Sequence, residues 1–288
     1  MKDRTDITVK MANVTRTSAE DVSDQLTAVW NNFYDGSKSL EHYADVMTAL
    51  GAATASSTDE ISEGLNKFAA VAETVGLSYE YAASALATVT ATTRESADVV
   101  GNAFKTLFAR IQGLKLGETL DDGTTLNKYS QALDAVGIKI QGVNGEIKDM
   151  DTILNELGAK WNTLGKDQQI ALAQTVAGVR QYTQLIALMD NWDYFQENLN
   201  TANTSTGALE EQADIYADSW EAASKRVEAA AQSIYEKLMN DDFFIDLLNA
   251  FEKILTFVDH LIDGLGGLRG VLLTLGSIMT KVFADKMS

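Results

Sequence analysis

Apolar residues recur at steps of three and four along most of the chain, the spacing that gathers them on one face of an α-helix. The pattern sharpens at Ser57, which with Glu60 makes a capping box ahead of Ile61, Leu65, Phe68, Ala72 and Val75. Gly76 then stops the helix. Ser78 caps a second helix with Ala82, Leu86 and Val89 on its face, and Thr92 with Glu95 reads as another capping box before Val100, Phe104, Leu107, Phe108 and Ile111. Three successive amphipathic helices predict a compact helical domain. Helical spacing resumes in Ile153, Leu157 and Trp161, in Ile170, Ala173 and Val176, and from Tyr182 through Leu185, Met189, Trp192 and Phe195 to Leu199.

The intervals between these runs are punctuated differently. Residues 1–25 carry Thr, Asp, Ser and Lys with few large apolar groups, so an extended or loosely helical lead-in is expected, within a polar segment reaching residue 44. Gly113, Gly117 and Asp121-Asp122-Gly123 mark a loop. Ile138, Ile140, Val143 and Ile147 flank Asn144-Gly145, a favoured turn dipeptide, and predict one small β-hairpin between Val136 and Lys148. Residues 201–207 read as a polar linker.

Beyond that linker Leu209, Ala213, Tyr216, Trp220, Ala223, Val227, Ala230, Ile234 and Leu238 alternate steps of four and three, close to the 3.5-residue period of a coiled coil. The seam continues through Phe244, Leu247, Phe251, Ile254, Val258 and Leu261 after a polar break at residues 240–242. Such a seam needs a partner helix, from the same chain or another copy. The residues expected at helix-helix or oligomer contacts are Leu209, Ala213, Tyr216, Trp220, Ala223, Val227, Ile234 and Leu238. The final stretch is apolar apart from Arg269 and holds Gly266 and Gly270 at the spacing of closely packed membrane helices. Its candidate membrane contacts are Leu268, Val271, Leu272, Leu275, Ile278 and Met279, although about 16 residues with an Arg are marginal for a bilayer core of ~30 Å. Burial in a multi-copy bundle explains the same composition. The expected organisation is thus all-α: a polar lead-in over 1–44, a compact domain over 45–200, heptad-patterned helices over 201–263 and an apolar segment over 264–288.

Composition strengthens the helical reading. With 288 residues, 45% of them hydrophobic, the chain can build a core. It contains no proline where average usage would give roughly 14, so the strongest helix breaker is missing. Against 23 Lys and Arg stand 41 Asp and Glu, a formal charge of −18, which opposes attachment to phosphate backbones. The absence of Cys removes disulfides, thiolate metal sites and a cysteine nucleophile. Met1 to Lys10 lacks an apolar h-region, so no secretory signal is expected.

Candidate chemistry is thin. His42 and His260 are far apart and belong to no HExxH or His-x-Glu arrangement. The approach to a phosphate loop at Gly158 to Lys166 has six residues between its glycines and Asp where Ser or Thr is required. Asp121-Asp122 and Asp149 with Asp151 lack the alternating ligands of a calcium loop and read as solvated turns. Trp161, Trp192, Phe195, Trp220, Phe243, Phe244 and Phe251 sit in helical registers and read as core. No catalytic residue, cofactor or metal is expected.

Four segments in order carry a family resemblance: LNKFAAVAETVGLSYEYAASALATVTATTRESADVVGNAFKTLFARIQG at 65–113, ALDAVGIKIQGVNGEIKDMDTILNELGAKW at 132–161, AGVRQYTQLIALM at 177–189 and ADSWEAASKRVEAAAQSIYEKL at 217–238. Together the region from Asp59 to about Asn240 resembles the core of tail tape-measure proteins of long-tailed phages and prophages. The resemblance implies a non-enzymatic virion component. Several copies would lie along the tail lumen, tube subunits would assemble around them, and the protein would leave ahead of DNA, with insertion in the host inner membrane as a further step. Implied partners are the tail tube protein, tail assembly chaperones, distal tail or hub proteins and further copies of the chain, with no specific nucleic-acid binding. It also implies assembly in the host cytoplasm. The rival reading from the residues is a membrane-active, pore-forming helical protein. At 1.5 Å per residue the chain would span ~430 Å at most, short for a ruler, so a longer parent protein is expected.

Overall fold

In a computed structural model, residues 2–142 and 146–238 are described; they hold thirteen helices and no strand. By contacts the chain divides into two units, residues 1–213 and 214–288. The first unit is built around α5 (Tyr79–Thr93), which packs against α3 (Leu40–Ala53), α4 (Thr58–Thr74), α6 (Ala97–Lys115), α10 (Tyr182–Asp190) and α11 (Trp192–Asn203). Its sequence explains this central place. Every residue from Tyr81 to Thr90 is buried, and the side chains are mostly small, Ala with Ser84, Thr88 and Thr90, so neighbours approach from all sides. The hydroxyl of buried Thr88 is satisfied twice, donating to Ser84 O at 2.7 Å and accepting from Asn198 Nδ2 of α11 at 2.9 Å.

The capping box at Ser57 and Glu60 is present, with Glu60 N donating to Ser57 Oγ at 3.1 Å and Ser57 N to Glu60 Oε2 at 2.7 Å. Ser78 caps α5 through Tyr81 N. The second box is not where the spacing placed it. Thr92 lies inside α5 and its hydroxyl donates back to Thr88 O, an interior habit, while Arg94 ends the helix in the left-handed region and Ser96 caps α6. Helices α4 and α6 form the most extensive pair, and they cross where Gly64, Ala97 and Gly101 bring backbones together.

The lead-in is more ordered than its composition suggested. α1 (Lys2–Thr15) and α2 (Ala19–Phe33) are regular helices, and Ile7, Met11, Val22, Leu26, Val29 and Trp30 enter the core. Two apolar residues one turn apart suffice to dock α1 once α2 and α3 provide a surface. α7 (Leu126–Asp134) and α8 (Met150–Trp161) flank the predicted hairpin. That hairpin reduces, among the described residues, to a single antiparallel bridge between Gln141 and Ile147. Ile138 and Ile140 are buried on one side with Lys139 exposed, a strand-like alternation, and Lys148 N donates to Ile140 O at 2.8 Å and Gly142 N to Glu146 O at 2.9 Å; Val143, Asn144 and Gly145 lie outside the described residues.

In α9 (Lys166–Ala177) the register also differs: Ile170 is exposed and Gln169 takes the buried place, where its amide donates to Trp161 O at 2.9 Å. The expected linker shortens because α11 runs to Asn203, and α12 (Ala208–Ala217) follows after four residues.

The second unit is described through residue 238. The seam is interrupted there at Asp218 and Ser219, so α12 ends and α13 (Trp220–Leu238) begins anew. Lys225 Nζ donates to Tyr216 Oη at 3.2 Å and Arg226 donates to Ala217 O at 3.0 Å, contacts between residues nine apart that a straight helix would hold about 13 Å away from each other. The two helices therefore meet at an elbow. The second half of the expected seam, Phe244 to Leu261, and the apolar segment over 264–288 lie outside the described residues.

Candidate functional site

The expected contact residues occupy different environments. Leu209 is fully buried within the core of the first unit. Ala213 and Tyr216 are half-buried. Ala223 and Val227 are buried on α13, and Ala231 rather than Ala230 continues that stripe, as a straight helix of 3.6 residues per turn drifts from a 3.5-residue seam. Trp220, Ile234 and Leu238 fall on α13, but their side chains lie outside what is described, as do Leu268, Val271, Leu272, Leu275, Ile278 and Met279. Among the described residues no helix is long and apolar enough to cross a membrane.

The start of α12 is held by a residue that the sequence did not announce. Asp45 of α3 is 5% exposed, and its carboxylate accepts from Gly207 N at 3.0 Å and Leu209 N at 2.9 Å. It supplies from a distance the cap that α12 lacks locally. Lys10 of α1 adds an ion pair to Glu210.

A cleft of about 560 Å³ lies between the loop after α2 and the α4–α5 turn. Its aromatic lining is a relay. Tyr79 donates to Tyr43 O at 2.6 Å, Tyr43 donates to Phe33 O at 2.8 Å, and the rings of Tyr43 and Tyr79 lie 4.9 Å apart. His42 is not isolated: its Nε2 lies 2.6 Å from Glu80 Oε1, joining α3 to α5 with both side chains mostly buried. Burial, with Asp35, Glu80 and Tyr34 nearby, pushes the Tyr43 phenol up to about 12. Hydrogen bonds from Ser37 hold the exposed Asp35 carboxyl below its ordinary value. Spacing could not reveal this grouping, because Phe33, Tyr34, Tyr43 and Tyr79 come from separate elements and tyrosines carry no motif.

The other acidic candidates have structural work. Burial alone would raise the Asp122 carboxyl, but Thr124 and the Arg110 guanidinium 2.8 Å away hold it low, closing the loop after α6. Asp149 precedes α8 and lies against Gly76; Asp151 accepts from Thr152 N. No group of three metal-ligating side chains occurs among the described residues. Gly158 is inside α8 beneath the Trp192 indole, not in a phosphate loop. Trp161, Trp192 and Phe195 are core, as expected.

The phage-related minor tail protein model matches residues 1–178, from α1 to the end of α9. The chain belongs to this family. It is accordingly a structural protein of a phage tail, located in the virion and associated with other tail components. The family match takes in α1 and α2, so the polar lead-in is part of the shared region of minor tail proteins. No solved structure matches the chain.

Proposed function

We propose that this minor tail protein is part of a tail tape measure, non-enzymatic, which sets tube length during assembly and leaves ahead of DNA at infection. The observation that carries the reading is the heptad-spaced series Ala213, Tyr216, Trp220, Ala223, Val227, Ile234 and Leu238 on α12 and α13, helices that follow a folded unit in a proline-free chain. In this reading the folded unit engages tail assembly chaperones and distal tail or hub proteins, and the long helices pair between copies along the lumen of the tail tube protein. A helix converts residue number to length at 1.5 Å per residue, which is what a ruler requires. The elbow between α12 and α13 does not oppose this, because its Arg226 and Lys225 contacts are exposed and exchange with water at small net cost. A surplus of carboxylates limits sticking to DNA during exit.

Two extra copies of residues 210–237, inserted in the gene of the full protein, preserve the heptad register. Tails should lengthen by roughly 84 Å in negative-stain micrographs. Normal particles of unchanged length reject a ruler role for this segment and place it at a tail terminus.

A further inference from the structure

The ruler reading makes no use of the residues that line the cleft between the loop after α2 and the α4–α5 turn. Tyr43 and Tyr79, 2% and 3% exposed, close its base with Phe33 edge-on to Tyr79 at 5.4 Å, and Tyr34, 44% exposed, offers an accessible ring at the rim. The main-chain bonds from the Tyr43 and Tyr79 hydroxyls fix both rings, so their orientation is set before any ligand arrives. Around these rings stand three carboxylates, Asp35, Glu73 and Glu80, against one lysine, Lys38, with His42 already paired to Glu80.

Two ligand charges can be weighed. The cleft lies at the N-termini of α3 and α5, which would favour an anion. Both ends are already served: Ser39 and Ser78 accept the first orphan N–H groups, and Glu41 and Glu80 stand in the first turns. The remaining field is that of Asp35 and Glu73, both exposed and unpaired to any cation in the cleft, and it is negative. The exposed Tyr34 ring beside these carboxylates suits a cation, which gains from the ring quadrupole and from charge together. The same unit already makes such a contact, Arg4 over the Trp30 ring at 5.0 Å. A volume of about 560 Å³ admits one long side chain with its flanking backbone.

We propose that this cleft is a docking site for a cationic side chain, arginine above all, presented by a polypeptide partner of the tail. Arginine fits better than lysine because its planar guanidinium stacks on a ring while donating to carboxylates at its edge. The site stands whether or not the chain is a ruler.

The test is an NMR titration of the full chain with N-acetyl-arginine amide, with its uncharged citrulline analogue, and with inorganic phosphate. Saturable shifts confined to Tyr34, His42, Tyr43, Tyr79 and their neighbours are expected with arginine, with a dissociation constant on the order of millimolar. Citrulline should bind at least about fivefold more weakly, the ratio that corresponds to one screened charge interaction. The double variant Asp35→Asn, Glu73→Gln, altered only at exposed positions and checked for an unchanged thermal unfolding curve, should weaken arginine binding by a similar factor. Equal binding of citrulline, shifts spread over the whole acidic surface, or a cleft that responds to phosphate instead would each overturn the proposal.

Discussion

Gly101 and Gly64 set the distance between the two most extensively packed helices. A Cβ built on Gly101 would stand 2.6 Å from Gly64 O and 3.1 Å from its Cα, and the obstacle is backbone that cannot swing aside. Alanine at position 101 would gain up to about 1 kcal/mol in helix propensity, but the forced separation of α4 and α6 costs ~1–3 kcal/mol. Gly101→Ala is therefore expected to lower stability by about 1–2 kcal/mol, read as a lower urea midpoint at unchanged slope. A midpoint equal to or above the parent would mean that the helices do not meet backbone to backbone. Trp192 over Gly158 repeats this logic between α8 and α11, where a small residue again seats a large one.

Helix α12 depends on α3 for its N-terminus. Asp45→Ala leaves Gly207 N and the buried Leu209 N without an acceptor, at ~1–3 kcal/mol for a buried group. The expected signature is local. Amide exchange over 206–212 should quicken several-fold while that of α5 changes little, whereas uniform change across both would show that Asp45 acts on the whole unit. The same residue shows what sequence can and cannot disclose. Caps such as Ser57 with Glu60 and faces such as Leu65–Phe68–Ala72 were legible because donor, acceptor and period lie within one or two turns. Asp45 and Leu209 are 164 residues apart, so nothing local marks the carboxylate as a cap. α1 was legible only as loosely helical for a related reason: Ile7 and Met11 are too few to fix a regular helix until α2 and α3 supply their partners. In the candidate cleft His42 could be seen, but Glu80 as its partner and the Tyr43–Tyr79 floor arise only when α3 and α5 pack together. Seam residues on α12 and α13 were legible as a pattern, while the elbow at Asp218-Ser219 was not, since neither residue is a strong helix breaker.

At the scale of the first unit, one continuous core contains Tyr43, Tyr79, Tyr81 and Tyr129, and burial is the leading cause that raises each phenol above its ordinary value. Tyr81 Oη can donate to Asn155 at 3.3 Å, but the buried Tyr129 hydroxyl has no partner among the described residues. An anionic phenolate is therefore much worse placed in the folded chain than in the unfolded one. The sign follows directly: below the ordinary tyrosine value near 10 both states hold the proton and the full stability is present, and above it the unfolded chain releases protons that the folded chain retains. Stability must fall from about pH 10 upward, through about 12 for Tyr43 and beyond for the deeper three. Each phenolate also adds to a chain whose formal charge is already −18, so self-repulsion acts in the same direction. An alkaline titration followed by tyrosinate absorbance and far-ultraviolet circular dichroism should thus show Tyr43, Tyr79, Tyr81 and Tyr129 ionising together with helix loss in one cooperative step above pH 10. A smooth titration of all nine tyrosines near pH 10 with helix content intact would mean that these four rings do not share a closed core.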